Sequence, residues 1–179
     1  MGVSLLGLCF TLACTVTTGS IDANRDVLWP VTAAESDSDI NDQVEALIGI
    51  GDWLTAERRW GAARRAYGDA ARLRRVQGRL PAESLRRLAN TYYFERDYAE
   101  AARLLDELAA EASEFGDLPV RARALGDAAW LHAKIGRTDT AHERVSQLAL
   151  LIRSPFMPDS VRTVLVVRAG DALPPSSGQ

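Results

Sequence analysis

The chain has 179 residues, a formal net charge of -3 and 47% apolar residues, enough for one core-bearing domain plus tails. The slight acidity removes any global attraction to nucleic acid. The two cysteines, Cys9 and Cys14, both lie near the start, so the rest of the chain can build no cysteine-based metal or redox site.

Residues 3–18 form an apolar run too short to cross a bilayer as a helix. Residues 1–14 resemble the core of a bacterial secretion signal, and Ala13-Cys14 resembles the end of a lipobox, in which the cysteine takes up lipid. Thr11 stands where such a motif usually has leucine, and no Lys or Arg precedes the run. Three readings stay open: a lipoprotein anchored through Cys14, simple secretion, and an accidental apolar start. The myristoylation pattern is incomplete, with Leu6 at its hydroxyl position. Residues 15–38 read as an acidic flexible linker ending at Glu35, Asp37 and the neighbouring acids, without the apolar density to fold alone.

From residue 39 to 169 one pattern occurs three times, in units of about 44–77, 82–115 and 122–155. The first apolar column is Leu47, Leu85, Leu125, followed by Ile50, Leu88, Ala128. Small residues come next (Gly51, Ala89, Ala129), then bulky ones (Leu54, Tyr92, His132). An alanine column (Ala63, Ala101, Ala141) precedes Tyr67, Leu105, Val145 and then Ala70, Leu108, Leu148. Offsets of three, four and seven place each set on one stripe of a helix, so each unit predicts two amphipathic helices. Polar breaks at Arg58-Arg59, Arg96-Asp97 and Gly136-Arg137 separate them. The small columns predict close helix approach within each hairpin. Gly78 and Gly116 stop the second helices, and Pro81, Pro119 and Pro158 stand near the next starts.

These columns resemble the tetratricopeptide repeat, most closely in the middle unit, through Ala89-Asn90-Thr91-Tyr92-Tyr93 and Asp97-Tyr98-Ala99-Glu100-Ala101. The resemblance implies an all-α solenoid of three helix-turn-helix hairpins. The alternative is an ordinary antiparallel bundle. Residues 158–169 predict a capping helix that covers the third unit through Val161, Val164 and Leu165. The apolar run Val164–Val167 is a candidate self-association surface. Residues 170–179, with Pro174-Pro175-Ser176-Ser177, read as a disordered tail.

The resemblance implies a partner-binding groove lined by the first helices: Arg86, Asn90, Tyr93 and Phe94 in unit two, and Arg123, Trp130, Ala133 and Lys134 in unit three. Ile48, Asp52 and Thr55 are the unit-one positions. A bound peptide and packing between repeats are equal readings of Tyr93 and Trp130. Separately, Arg58, Arg65, Arg72 and Arg79 recur every seven residues and predict an outer ridge for an anionic partner. Twenty arginines against the single Lys134 favour an ordinary solvated face, and the acidic linker is a further candidate to cover it.

Nothing predicts catalysis. No His-Glu-x-x-His helix, phosphate-cradling loop or nucleophile elbow is present. His132 fills a core column, and Asp106-Glu107 reads as an exposed pair that does not converge with other groups. The expectation is a non-catalytic scaffold of the bacterial cell envelope, binding a protein or peptide, with no cofactor, no metal and no nucleic acid. A cytoplasmic adaptor, and a small helical enzyme or ligand carrier, are the alternatives.

Overall fold

The computed structural model describes residues 33–172, with side chains from 37 to 165. The signal-like segment, Cys14 and most of the linker and tail lie outside these residues, as do the side chains of Val166 and Val167. Seven helices follow in order among the described residues: α1 Ala33–Ala56, α2 Trp60–Val76, α3 Ala82–Phe94, α4 Tyr98–Glu114, α5 Leu118–Lys134, α6 Thr138–Ile152 and α7 Asp159–Ala172. Each packs on the next up to α6, and α7 lies across α5 and α6. The repeat columns become three hairpins, α1–α2, α3–α4 and α5–α6, with α7 as a lone cap.

The five turns from α1 to α6 are one device. In each, a residue of positive φ follows the helix: Arg58 (56°), Gly78 (66°), Arg96 (65°), Gly116 (70°) and Gly136 (79°). Its N–H donates back to the carbonyl three residues earlier, and the next N–H reaches five back, as in Arg58→Thr55 at 3.0 Å and Arg59→Leu54 at 2.8 Å. That pair of bonds satisfies the last carbonyls of each helix. Asp97 and Asp117 then cap α4 and α5 by accepting from the N–H groups of Glu100 and Val120.

The core is mostly alanine and leucine. Ala63, Ala101 and Ala141 are buried between paired helices, with Leu85, Leu105, Leu125 and Leu148 around them. Small side chains let the helices approach closely, and the leucines supply the apolar area. Leu165 and Met157 carry this core into the cap, where Val161 packs as expected. Val164 instead is 58% exposed.

Two expectations need correction. The composition reads as linker to residue 38, but α1 already runs from Ala33. Polar bonds hold its first turns: Asp37 meets Arg79 at 3.2 Å, and Asn41 accepts from Arg74 and Arg79. Apolar density was the wrong measure there. Likewise Asp106 is not a solvated acid. It accepts from His132 Nε2 at 2.9 Å and from Arg144 Nε at 2.7 Å, tying α4 to α5 and α6. His132 itself is buried, as its column implied.

Candidate functional site

The first helices α3 and α5 stand side by side over α4 and leave a groove between them. Its inner part, a cleft of about 340 Å³, is lined by Asn90 and Tyr93 of α3 and by Gly126, Asp127 and Trp130 of α5, over Ala101 and Leu105 of α4. Its outer part, about 330 Å³, is lined by Glu83 and Arg86 of α3 and by Val120, Arg123 and Asp127 of α5, over Leu105 and Leu108. Leu105 and Asp127 belong to both, so the two parts form one channel.

Helix geometry explains this lining. Arg86, Asn90 and Tyr93 stand at i, i+4, i+7 on α3, and Arg123, Asp127 and Trp130 do the same on α5. The α4 residues beneath are apolar and buried, so the groove has an apolar floor and polar walls, the usual makeup of a binding site. No ion pair among the described residues holds Arg86 or Arg123, whereas the adjacent Arg87 is clamped by Glu83 and Asp52. The Arg87 guanidinium is held charged first by Glu83 and then by Asp52.

The inner end closes in an aromatic ladder. Trp60 stacks on Phe94 at 5.6 Å, Phe94 meets Tyr93 at 5.8 Å, and Tyr93 lies 6.0 Å from Trp130. Lys134 Nζ sits 4.5 Å over Trp130 and 4.7 Å over Tyr98. Tyr93 and Trp130 remain about one-third exposed (36% and 37%), so they pack between repeats and still present a face to the groove.

The structure therefore gathers Arg86, Asn90, Tyr93, Phe94, Arg123, Trp130 and Lys134 on one surface. The unit-one positions do not join them. Tyr67 donates to Asp52 Oδ1 at 2.6 Å and its hydroxyl lies 3.2 Å from Thr55 Oγ1, so these residues pin α1 to α2. Burial, then the Asp52 carboxylate, push the Tyr67 phenol above its ordinary value. Ile48 lines a separate cleft with Leu80 and Pro81. Asp127 was missed by sequence reasoning, although its place four residues after Arg123 and three before Trp130 carried the signal.

The arginine ridge does not lie on one helix. Arg58 lies in a turn and Arg79 beyond Gly78, so only Arg65 and Arg72 stand on α2. Arg72 pairs with Asp69 and Arg79 with Asp37. The seven-residue spacing held in the sequence, but the helix is shorter than the spacing needs.

No protein-family model matches this chain, and no curated protein does. Among solved structures, it is similar to the N-terminal domain of stress-induced protein-1 (STI-1) from C. elegans. The TM-score is 0.58 at 17% identity, over 74% of this chain and 96% of that one. The fold is a tetratricopeptide-like helical repeat. Within it, three hairpins and a cap hold the groove. Among the described residues no three His, Cys, Asp or Glu gather as for a metal ion, and no helix is long and apolar enough to cross a membrane.

Proposed function

We propose that this protein is a non-catalytic scaffold that holds a protein or peptide segment in the groove between α3 and α5. The observation that carries the reading is the groove itself: an apolar floor, two arginines that no ion pair among the described residues holds, and an exposed Tyr93–Trp130 wall beside the Asn90 amide. A peptide backbone offers carbonyls and N–H groups that the Asn90 amide can bond, and aromatic walls with arginine are frequent anchors of such contacts. The likeness to a tetratricopeptide-like domain supports a binding role by fold analogy alone.

Random-peptide phage panned on the purified protein test this. Binding peptides should lose affinity at least tenfold, about 1.4 kcal/mol, on Asn90→Ala or Trp130→Ala. Peptides indifferent to both changes would remove the groove as the binding face.

We further propose that the protein belongs to the bacterial cell envelope, anchored through lipidated Cys14, a reading that the signal-like residues 1–14 support. Intact mass of protein from native membranes decides this. A chain starting at Cys14 with acyl mass supports the anchor, and an unprocessed chain makes a cytoplasmic adaptor the better reading.

A further inference from the structure

We propose that Tyr98 and Trp130, braced by Tyr93, form a clamp for an alkylammonium group, which Lys134 fills at rest and a lysine side chain of the bound segment takes over. The proposal rests on the groove reading above and names the partner group that the inner end of the groove recognises.

Three helices build the clamp. Tyr93 stands near the end of α3, Tyr98 opens α4 and Trp130 lies in α5. The Tyr93 ring is 5.6 Å from that of Tyr98 and 6.0 Å from that of Trp130, tilted by 53° and 50°. It touches both rings and fixes the gap between them. Lys134 Nζ sits in that gap, 4.7 Å over Tyr98 and 4.5 Å over Trp130. An aromatic face is negative, so two faces turned on one point attract a compact cation.

A second cation–π contact in the chain is built differently. Arg64 lies 4.4 Å over Tyr92, but Glu95 also pairs with it, at 2.5 Å. No ion pair among the described residues includes Lys134, so ring faces hold its ammonium. Lys134 is also the single lysine beside twenty arginines. A guanidinium is a flat plate that stacks on one ring, as Arg64 does, whereas an ammonium is a point charge that two faces can share.

Lys134 is free to leave. It is the last residue of α5, its side chain is exposed, and its departure breaks no ion pair among the described residues. Tyr93 and Trp130 also line the inner cleft of about 340 Å³, so a lysine side chain from a segment in the groove meets the same faces. The exchange replaces one ammonium by another, and the released Lys134 regains rotamer freedom and hydration. The inner end thereby selects lysine over arginine, glutamine or an aliphatic residue.

Titration of the isotope-labelled full chain with Nα-acetyl-lysine methylamide tests this, read at the indole Nε1–H signal of Trp130. Nα-acetyl-norleucine methylamide, of similar shape but uncharged, is the control. The lysine probe should move the Trp130 signal and leave that of the exposed Trp53 in place. Its half-saturation concentration should fall about tenfold in Lys134→Ala, which empties the clamp. The norleucine probe should move neither signal. Equal response to the two probes, or equal movement of Trp53, means an unselective apolar surface and overturns the proposal. So does a lysine probe that binds Lys134→Ala no better than the native chain. Choline reads the other source of such a group. Saturation of the native chain at micromolar choline would assign the clamp to a free quaternary ammonium and overturn a partner's lysine as its occupant. The probes are single residues, so their failure leaves peptides panned on the groove standing. Panned peptides that ignore the groove while the lysine probe still enters the clamp remove the scaffold reading alone.

Discussion

A Cβ built on Gly51 would stand 2.4 Å from Cε1 of Tyr67, closer than real side chains come. The repeat columns explain the pairing. Where unit one combines glycine with tyrosine, units two and three combine Ala89 with Leu105 and Ala129 with Val145. Gly51→Ala should therefore lower stability by about 1 kcal/mol, because overpacking outweighs the helix preference of alanine. In a Tyr67→Leu background the same change should stabilise. Urea unfolding of the four proteins checks the sign reversal, and loss in both backgrounds would remove the steric account.

Arg96 and Gly136 occupy the same turn position at φ 65° and 79°. A left-handed non-glycine residue costs about 1–2 kcal/mol. Arg96→Gly should be neutral or stabilising, offset by the freedom glycine has when unfolded. Gly136→Ala should destabilise by about 1 kcal/mol. Midpoints from chemical denaturation give both values.

Tyr67 governs the alkaline limit of unit one. Its phenol is raised above 10.0, first by burial and then by Asp52, so the folded protein holds that proton after the unfolded chain has released it. The stabilisation is complete below pH 10, the unfolded value, and disappears as pH rises through the folded value. The Tyr67 phenol should titrate late by ultraviolet absorbance. Tyr67→Phe should abolish that late step.

Asp106 accepts from two side chains on two other helices, whereas its neighbour Glu107 pairs with the more exposed Arg75 and Arg103. Asp106→Ala strands the buried His132, leaves Arg144 only its pair with Glu143, and should cost about 1–3 kcal/mol. Glu107→Ala should cost under about 1 kcal/mol. Equal losses in thermal unfolding would contradict the three-helix role of Asp106.

Much of this was legible in the sequence because helix periodicity acts locally. The alanine and leucine columns fix which faces are buried, and Gly78, Gly116 and Gly136 mark turns that need positive φ. The groove residues follow once α3 and α5 are known to be first helices. What escaped depended on partners distant in sequence. Nothing near Asp106 announces Arg144, and nothing near Asp52 announces Tyr67 and Arg87. The arginine spacing runs past both ends of α2 because periodicity says nothing about where a helix stops, and a left-handed Arg58 carries no glycine signature.

The helix order has a kinetic consequence. From α1 to α6 each helix packs mainly on its immediate successor, with side-chain pairs such as Asp52–Arg87 and Asp106–Arg144 reaching one helix further, and α7 packs back past α6 onto α5. Such a chain has low contact order, so little loop closure precedes the first native contacts and folding is fast. Any hairpin can nucleate and its neighbours zip onto it. Unfolding should begin at whichever end is less firmly docked, while α4 and α5, flanked on both sides, exchange their amide hydrogens last.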